Sequence, residues 1–168
     1  KCRDNNGIVS FDVNLRERLW ENLEFAKDRV LSTIVVSDII KVNEEELEWL
    51  SGTTEIESGL LQMQTNNQVI ICTVGAKGSV ALLPDGSFIR QEALKAEQID
   101  STGAGDLYAG GFLHALSDGF DLRRCGEIGT IAAGRVVEIV GTKLPDETWD
   151  EIRRICALYR GFMHKLKF

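Results

Sequence analysis

The stretch Asp100–Phe112, DSTGAGDLYAGGF, sets glycines at 103, 105, 110 and 111 among two carboxylates and two hydroxyl residues, then runs into an apolar helical pattern. Glycines 103 and 105 let the backbone turn sharply and leave its N–H groups uncovered. If a helix begins there, those N–H groups and the positive end of the helix dipole face one point, which makes an anion site. Asp106 then falls in the first turn, beside whatever anion binds. An anion hole next to a carboxylate suits the transfer of a phosphoryl group to a hydroxyl. The plainer alternative is a glycine-rich turn capped by Asp106.

Two other nucleotide motifs are excluded. The pattern GxGxxG fails because Tyr108 stands at its third position, and a P-loop fails because Gly75 to Ser79 (GAKGS) has the wrong spacing.

Working back towards the start, Ile8 to Asp12 (IVSFD) reads as a short buried strand. Asp12, Asn14 and Arg16 gather at its C-terminal end, the side where open α/β sheets bind ligands; a polar strand-to-helix loop is an equal reading. The spacing predicts a helix from Glu17 to about Ser32, with Leu19, Trp20, Leu23, Ala26, Val30 and Leu31 on one face. Asp38 to Val42 is the next strand, followed by a short helix closed by Gly52. Asn43 and Glu46 have the spacing of a capping box in its Asn form. Glu55 to Gln64 reads as a helix with Ile56, Leu60, Leu61 and Met63 inward. Val69 to Val74 is a continuous apolar run, as in a central parallel strand. Ser79 to Leu83 and Ser87 to Gln91 form a hairpin about Pro84–Gly86.

Forward of the opening stretch, a helix from Gly105 to about Ser117 buries Leu107, Gly111, Phe112, Ala115 and Leu116. Gly110 and Gly111 each cost it about 1 kcal/mol of propensity, which points to close packing against another backbone. Leu122 to Val140 carries the cleanest stripe: Cys125, Ile128, Gly129, Ala132, Ala133, Val136, Val137 and Val140. A last helix, Thr148 to Leu166, opens with a Thr148/Glu151 capping box and turns Trp149, Ile152, Ile155, Tyr159 and Phe162 or Met163 to one face. The order of elements gives an α/β fold with parallel central strands.

The bulk properties narrow the classes. At 168 residues the chain supports one domain with a proper core. A net charge of −7 with no basic cluster argues against nucleic acid, and no apolar run approaches membrane-spanning length. The start, KCRDNNG, does not read as a signal peptide. Cysteines 2, 72, 125 and 156 form no ligand-like cluster and read as buried thiols of a cytoplasmic protein; His114 and His164 support no metal site.

The stretch also resembles the second signature of the ribokinase (PfkB) family of sugar and nucleoside kinases. Asp100, Thr102, Gly103, Ala104, Gly105, Asp106, Tyr108 and Gly111 carry the resemblance, with Ser101 at a tolerant place; GAGDLYAGGFLHAL is closest to the adenosine-kinase-like branch. The resemblance covers nearly the whole chain but only the C-terminal half of the family's usual length. It implies a ribokinase-like layered α/β/α fold, with the N-terminal half and lid absent. Residues 1–168 would then be the nucleotide-binding part of a kinase domain, either a fragment of a longer kinase or paired along an uncovered sheet edge, as a homo-oligomer would be.

By resemblance, Asp106 is the catalytic base, and Gly103, Ala104 and Gly105 form the anion hole. ATP contacts fall on Asn43, Thr73, Gly75 and Gly78, and the adenine side on Ala133, Gly141 and Thr142. Glu46 stands behind Mg2+ through water, and Asp100 and Thr102 fall where relatives bind a monovalent cation, K+ being the expectation. The reaction implied is ATP-dependent phosphotransfer to a primary hydroxyl of a sugar or nucleoside. A non-catalytic nucleotide-binding remnant and a Rossmann-type oxidoreductase are the alternatives, the second disfavoured by Tyr108.

Overall fold

The computed structural model describes Asn5 and residues 7–165, with side chains through residue 160. Among the described residues it forms a five-stranded mixed sheet and six α-helices, arranged as two compact units, residues 1–90 and 91–168. Cys2 and the side chains of Phe162, Met163 and His164 lie outside the described residues.

The first unit is built on the sheet, in the order β1 (Ser10–Asp12), β2 (Ile39–Asn43), β3 (Val69–Thr73), β4 (Ser79–Leu82), β5 (Phe88–Gln91). β1, β2 and β3 run parallel, with Phe11 beside Ile40 and Ile40 beside Ile70. β4 then runs antiparallel to β3 as the first arm of the hairpin, whose turn uses Gly86 at φ 82°. Apolar runs in β2 and β3 are buried on both faces, as parallel strands require. Ile40, Val42, Ile70, Cys72 and Leu82 meet Ile34, Leu47 and Leu60 in one core.

Three helices belong to this unit: α1 (Leu23–Val35), α2 (Glu44–Ser51) and α3 (Ile56–Met63). The helix expected from Glu17 starts six residues later. Glu17–Leu19 is a single 3-10 turn, and the Asn22 side chain accepts from the N–H groups of Glu24 and Phe25, which fixes the start of α1 there. Leu19 and Trp20 are therefore exposed, and Ala26, Val30 and Ile34 form the buried stripe. The strand expected at Ile8–Asp12 is shorter and at the sheet edge rather than buried, with Ile8 exposed. Leu61, expected inward, faces out; Leu60 and Met63 are buried as expected, and Leu47 packs onto Gly59.

Gln68, fully buried, locks α1 to β3. Its Nε2 donates to the carbonyls of Ile34 (2.6 Å) and Ser37 (2.9 Å), and its Oε1 accepts from the Thr65 amide and hydroxyl. Every polar atom of the side chain is satisfied, as burial demands.

The second unit holds α4 (Ala104–Ser117), α5 (Leu122–Val136) and α6 (Asp146–Lys165). α4 and α5 meet backbone to backbone. A Cβ on Gly111 would lie 3.0 Å from the Ile128 carbonyl oxygen, and one on Gly129 would lie 2.8 Å from the Tyr108 carbonyl oxygen. The close packing inferred from paired glycines is thus met at Gly111, whereas Gly110 faces open space. Tyr108 and Phe112 stack and are buried, while Leu107 and Leu116 are only half-buried.

Two expectations fail here. α5 ends at Val136, four residues early, and Val140 is 82% exposed, because the Val137 carbonyl is drawn off the helix to accept from Ile99 (2.7 Å) and Asp100 (3.2 Å). α6 begins at Asp146, directly after Pro145, so Thr148 is no cap; its amide donates to the Pro145 carbonyl, and Glu151 pairs with Arg135 at 2.6 Å. Trp149 is correspondingly exposed, while Ile152 and Cys156 are buried.

Candidate active site

In the second unit the chain enters α4 through Gly103, held at φ 79° and ψ 0° with no side chain capping the helix. A side chain at 103 is doubly barred: by the left-handed backbone, and because its Cβ would lie 2.6 Å from the Thr142 methyl. The Ala104 amide donates to the Ser101 carbonyl at 3.2 Å, and the first helical bond proper is Leu107 N–H to Gly103 C=O at 2.9 Å. The N–H groups of Gly103, Gly105 and Asp106 have no acceptor among the described residues. Of the three amides expected to form the anion hole, Gly103 and Gly105 are open, and Asp106 adds its own. Three open donors at the positive end of a fourteen-residue helix form a site for negative charge.

The Asp106 carboxylate sits at the third helical position, exposed, with no hydrogen bond or ion pair among the described residues. An ionised carboxylate with idle lone pairs beside open amides can take a proton from a hydroxyl brought to it.

Around this turn, Asp100 accepts three hydrogen bonds. Oδ1 takes the Thr102 amide (2.9 Å) and hydroxyl (2.7 Å), and Oδ2 takes the Gly141 amide (3.1 Å). The Thr102 hydroxyl and amide, then the Gly141 amide, hold the Asp100 carboxyl below its usual range. Gly141 takes φ 84° to make its contact, and Thr142 is exposed with its methyl over Gly103. Ala133, half-buried on α5, accepts the Val137 amide. Asp100, Thr102, Gly103, Gly141 and Thr142 are therefore one cluster, and Ala133 borders it through Val137.

The first unit gathers the other expected residues at the C-terminal ends of its parallel strands. Asn43 caps α2, accepting from the Glu46 amide at 2.8 Å, while Glu46 Oε2 accepts from the Asn43 amide at 2.9 Å. That is the capping box read from the sequence. Glu46, only 6% exposed, also takes the Leu15 amide on Oε1 at 2.7 Å, fixing the loop after β1 in which Asn14 adopts φ 43°. Asp12 pairs with Lys41 at 2.8 Å, and its Oδ1 is buried without a partner.

Lys41 was not singled out by the sequence reading. The signal was there: Lys41 and Asn43 alternate on β2, so both project to one face towards its C-terminal end. Thr73 donates to the Val42 carbonyl at 3.4 Å, while Gly75 (φ 54°) and Gly78 (φ 99°) close a tight turn in which the Gly78 amide donates to Gly75.

Glu46 has spare lone pairs but no free edge, so a magnesium ion would reach it only through water. Asp100, with three of about four acceptor positions used, keeps room for one weak cation contact. Among the described residues no three His, Cys, Asp or Glu side chains converge as a metal cage. Cys72 and Cys125 are buried thiols, each pushed up to about 12 mainly by burial, and so are unreactive; Cys156 is buried as well.

The profile of the "pfkB family carbohydrate kinase" matches residues 1–149. The chain is 36% identical over 150 residues to a nucleoside kinase of Methanocaldococcus jannaschii, covering 88% of this chain and 46% of that protein. Among solved structures, aminoimidazole riboside kinase from Salmonella enterica, complexed with aminoimidazole riboside and an ATP analog, superposes with a TM-score of 0.79 at 26% identity, over 90% of this chain and 54% of that one. A double-mutant fructokinase from Vibrio cholerae O395, bound to fructose, ADP and potassium ion, gives 0.75 at 31% identity, over 81% and 46%. The chain spans about half the length of the curated relatives it matches. No helix among the described residues is long and apolar enough to cross a membrane. The chain belongs to the pfkB family of carbohydrate kinases.

Proposed function

We propose that this chain carries the phosphoryl-transfer half of an ATP-dependent kinase acting on a primary hydroxyl of a sugar or nucleoside. The observation that carries the reading is the Asp106 carboxylate, idle in the first turn of α4 beside the open amides of Gly103, Gly105 and Asp106. A bound γ-phosphate would place its equatorial oxygens on those amides, where fixed donors are worth most as charge builds. The acceptor oxygen attacks phosphorus, the bond from phosphorus to the β–γ bridging oxygen breaks, ADP leaves, and the hydroxyl proton passes to Asp106. Asp106 takes the proton as the attack on phosphorus makes the hydroxyl acidic.

Asn43 and Glu46 would hold, through water, a magnesium ion bound to the nucleotide, which would neutralise phosphate charge. By the family resemblance, Thr73, Gly75 and Gly78 would border the nucleotide, Ala133, Gly141 and Thr142 would serve its base side, and Asp100 with Thr102 would hold a potassium ion. The enzyme is cytoplasmic, and its sugar or nucleoside pocket is completed by the other half of the kinase or by a second copy. That relatives include fructokinases and nucleoside kinases supports the acceptor class.

The test incubates the protein with MgATP and, in turn, fructose, ribose and adenosine, and follows phosphate-monoester formation by 31P NMR. A monoester with one of them is expected. ATP binding without transfer to any acceptor, in a complete protein, would instead establish a nucleotide-binding remnant.

A further inference from the structure

The 137–142 segment is tied to the entrance of α4 at three points. The Val137 carbonyl accepts from the Ile99 and Asp100 amides, the Asp100 carboxylate accepts from Gly141, and the Thr142 methyl sits where a Gly103 side chain would be. Only the middle tie is charge-assisted, and Asp100 is also the residue whose other oxygen shapes the 100–102 turn through Thr102. We infer that Asp100 is a positioning residue that couples the 137–142 segment to the first turn of α4. One carboxylate holds Gly141 with one oxygen and the turn leading into Gly103 with the other. A ligand that orders residues 141–142 therefore also orders the open amides of Gly103, Gly105 and Asp106.

The functional consequence rests on the proposed nucleotide reading: the base side and the γ-phosphate side of one nucleotide would be felt together, through Asp100. The coupling itself does not depend on what binds.

Amide hydrogen exchange separates the two. In Asp100→Asn, Oδ1 can still serve Thr102, but the new amide group faces the Gly141 N–H donor to donor. Exchange at Gly141, Ala104 and Leu107 is expected to accelerate about tenfold, the scale of one lost charge-assisted hydrogen bond. The Cys125 amide, bonded to Asp121 within the α5 cap, stays as in the parent. Acceleration at Gly141 alone, with Ala104 and Leu107 unchanged, overturns the coupling.

Should the Asn variant not fold, Thr102→Val decides the matter. It removes the hydroxyl that donates to Asp100 Oδ1, and faster exchange at Gly141, on the other oxygen, supports the coupling while parent-like exchange there overturns it. A parallel titration with MgATP tests the consequence. Weaker binding in Asp100→Asn at unchanged Cys125 protection supports it, and equal affinity overturns it. A parent protein that ignores MgATP refutes the nucleotide reading and leaves the exchange result to judge Asp100.

Discussion

Glu46 and Asp106 occupy the same place on two helices. Each is the third residue of its helix, α2 in one unit and α4 in the other. Glu46 is consumed: its oxygens hold the Asn43 and Leu15 amides, and it is buried. Asp106 is idle and exposed. The residue at the cap makes the difference. Asn43, in extended backbone, offers a side chain to the Glu46 amide and receives the carboxylate in return. Gly103, in left-handed backbone, offers nothing, and Asp106 is one methylene too short for the usual reply. A carboxylate at this position is a structural cap when its partner is Asn and an available base when its partner is glycine.

The largest effect expected from this contrast is at Asp106. Asp106→Asn in the complete kinase lowers the rate of transfer by about 10²–10⁴-fold, the usual worth of a positioned general base, with MgATP affinity nearly unchanged. A coupled assay of ADP release together with calorimetric binding measures both. Thermal stability should stay at or slightly below the parent's: no hydrogen bond is lost, only the attraction of the charge to the helix start, worth at most about 1 kcal/mol. Glu46→Gln reverses that pattern. Its NH2 replaces one carboxylate oxygen and faces the Leu15 or the Asn43 amide donor to donor, so urea unfolding should show a loss of about 1.5–3 kcal/mol, the scale of one hydrogen bond to a charged group. Equal stability would mean that the Leu15 and Asn43 bonds are not both made in solution.

A smaller contrast lies within the second unit. Gly129→Ala drives a methyl against the Tyr108 carbonyl and should cost about 1–3 kcal/mol by overpacking. Gly110→Ala meets nothing and should gain up to about 1 kcal/mol from helix propensity. If the two substitutions shifted the unfolding midpoint alike, close contact between α4 and α5 would not be what selects glycine.

Local chemistry makes much of this fold legible in the order of residues alone. The apolar runs of β2 and β3, the Asn43/Glu46 box, the Pro84–Gly86 turn and the glycine entrance to α4 are all set by neighbours within a few residues. The late start of α1 is local, set by the Asn22 cap, but two other expectations failed through partners farther along the chain. Thr148 and Glu151 have the spacing of a capping box, but Arg135 claims Glu151 and Pro145 starts the helix earlier. Val137 to Val140 keep helical periodicity, yet Ile99 and Asp100 draw the Val137 carbonyl away. The second use of Glu46, on Leu15, spans 31 residues, and periodicity carries no trace of it.

The most direct test of the central claim is an NMR titration of backbone amides with MgATP. The account predicts that Gly103, Gly105 and Asp106 shift most within residues 91–168, because their N–H groups are the ones left open for phosphate. Saturable binding that moves other amides and leaves these three still would contradict it.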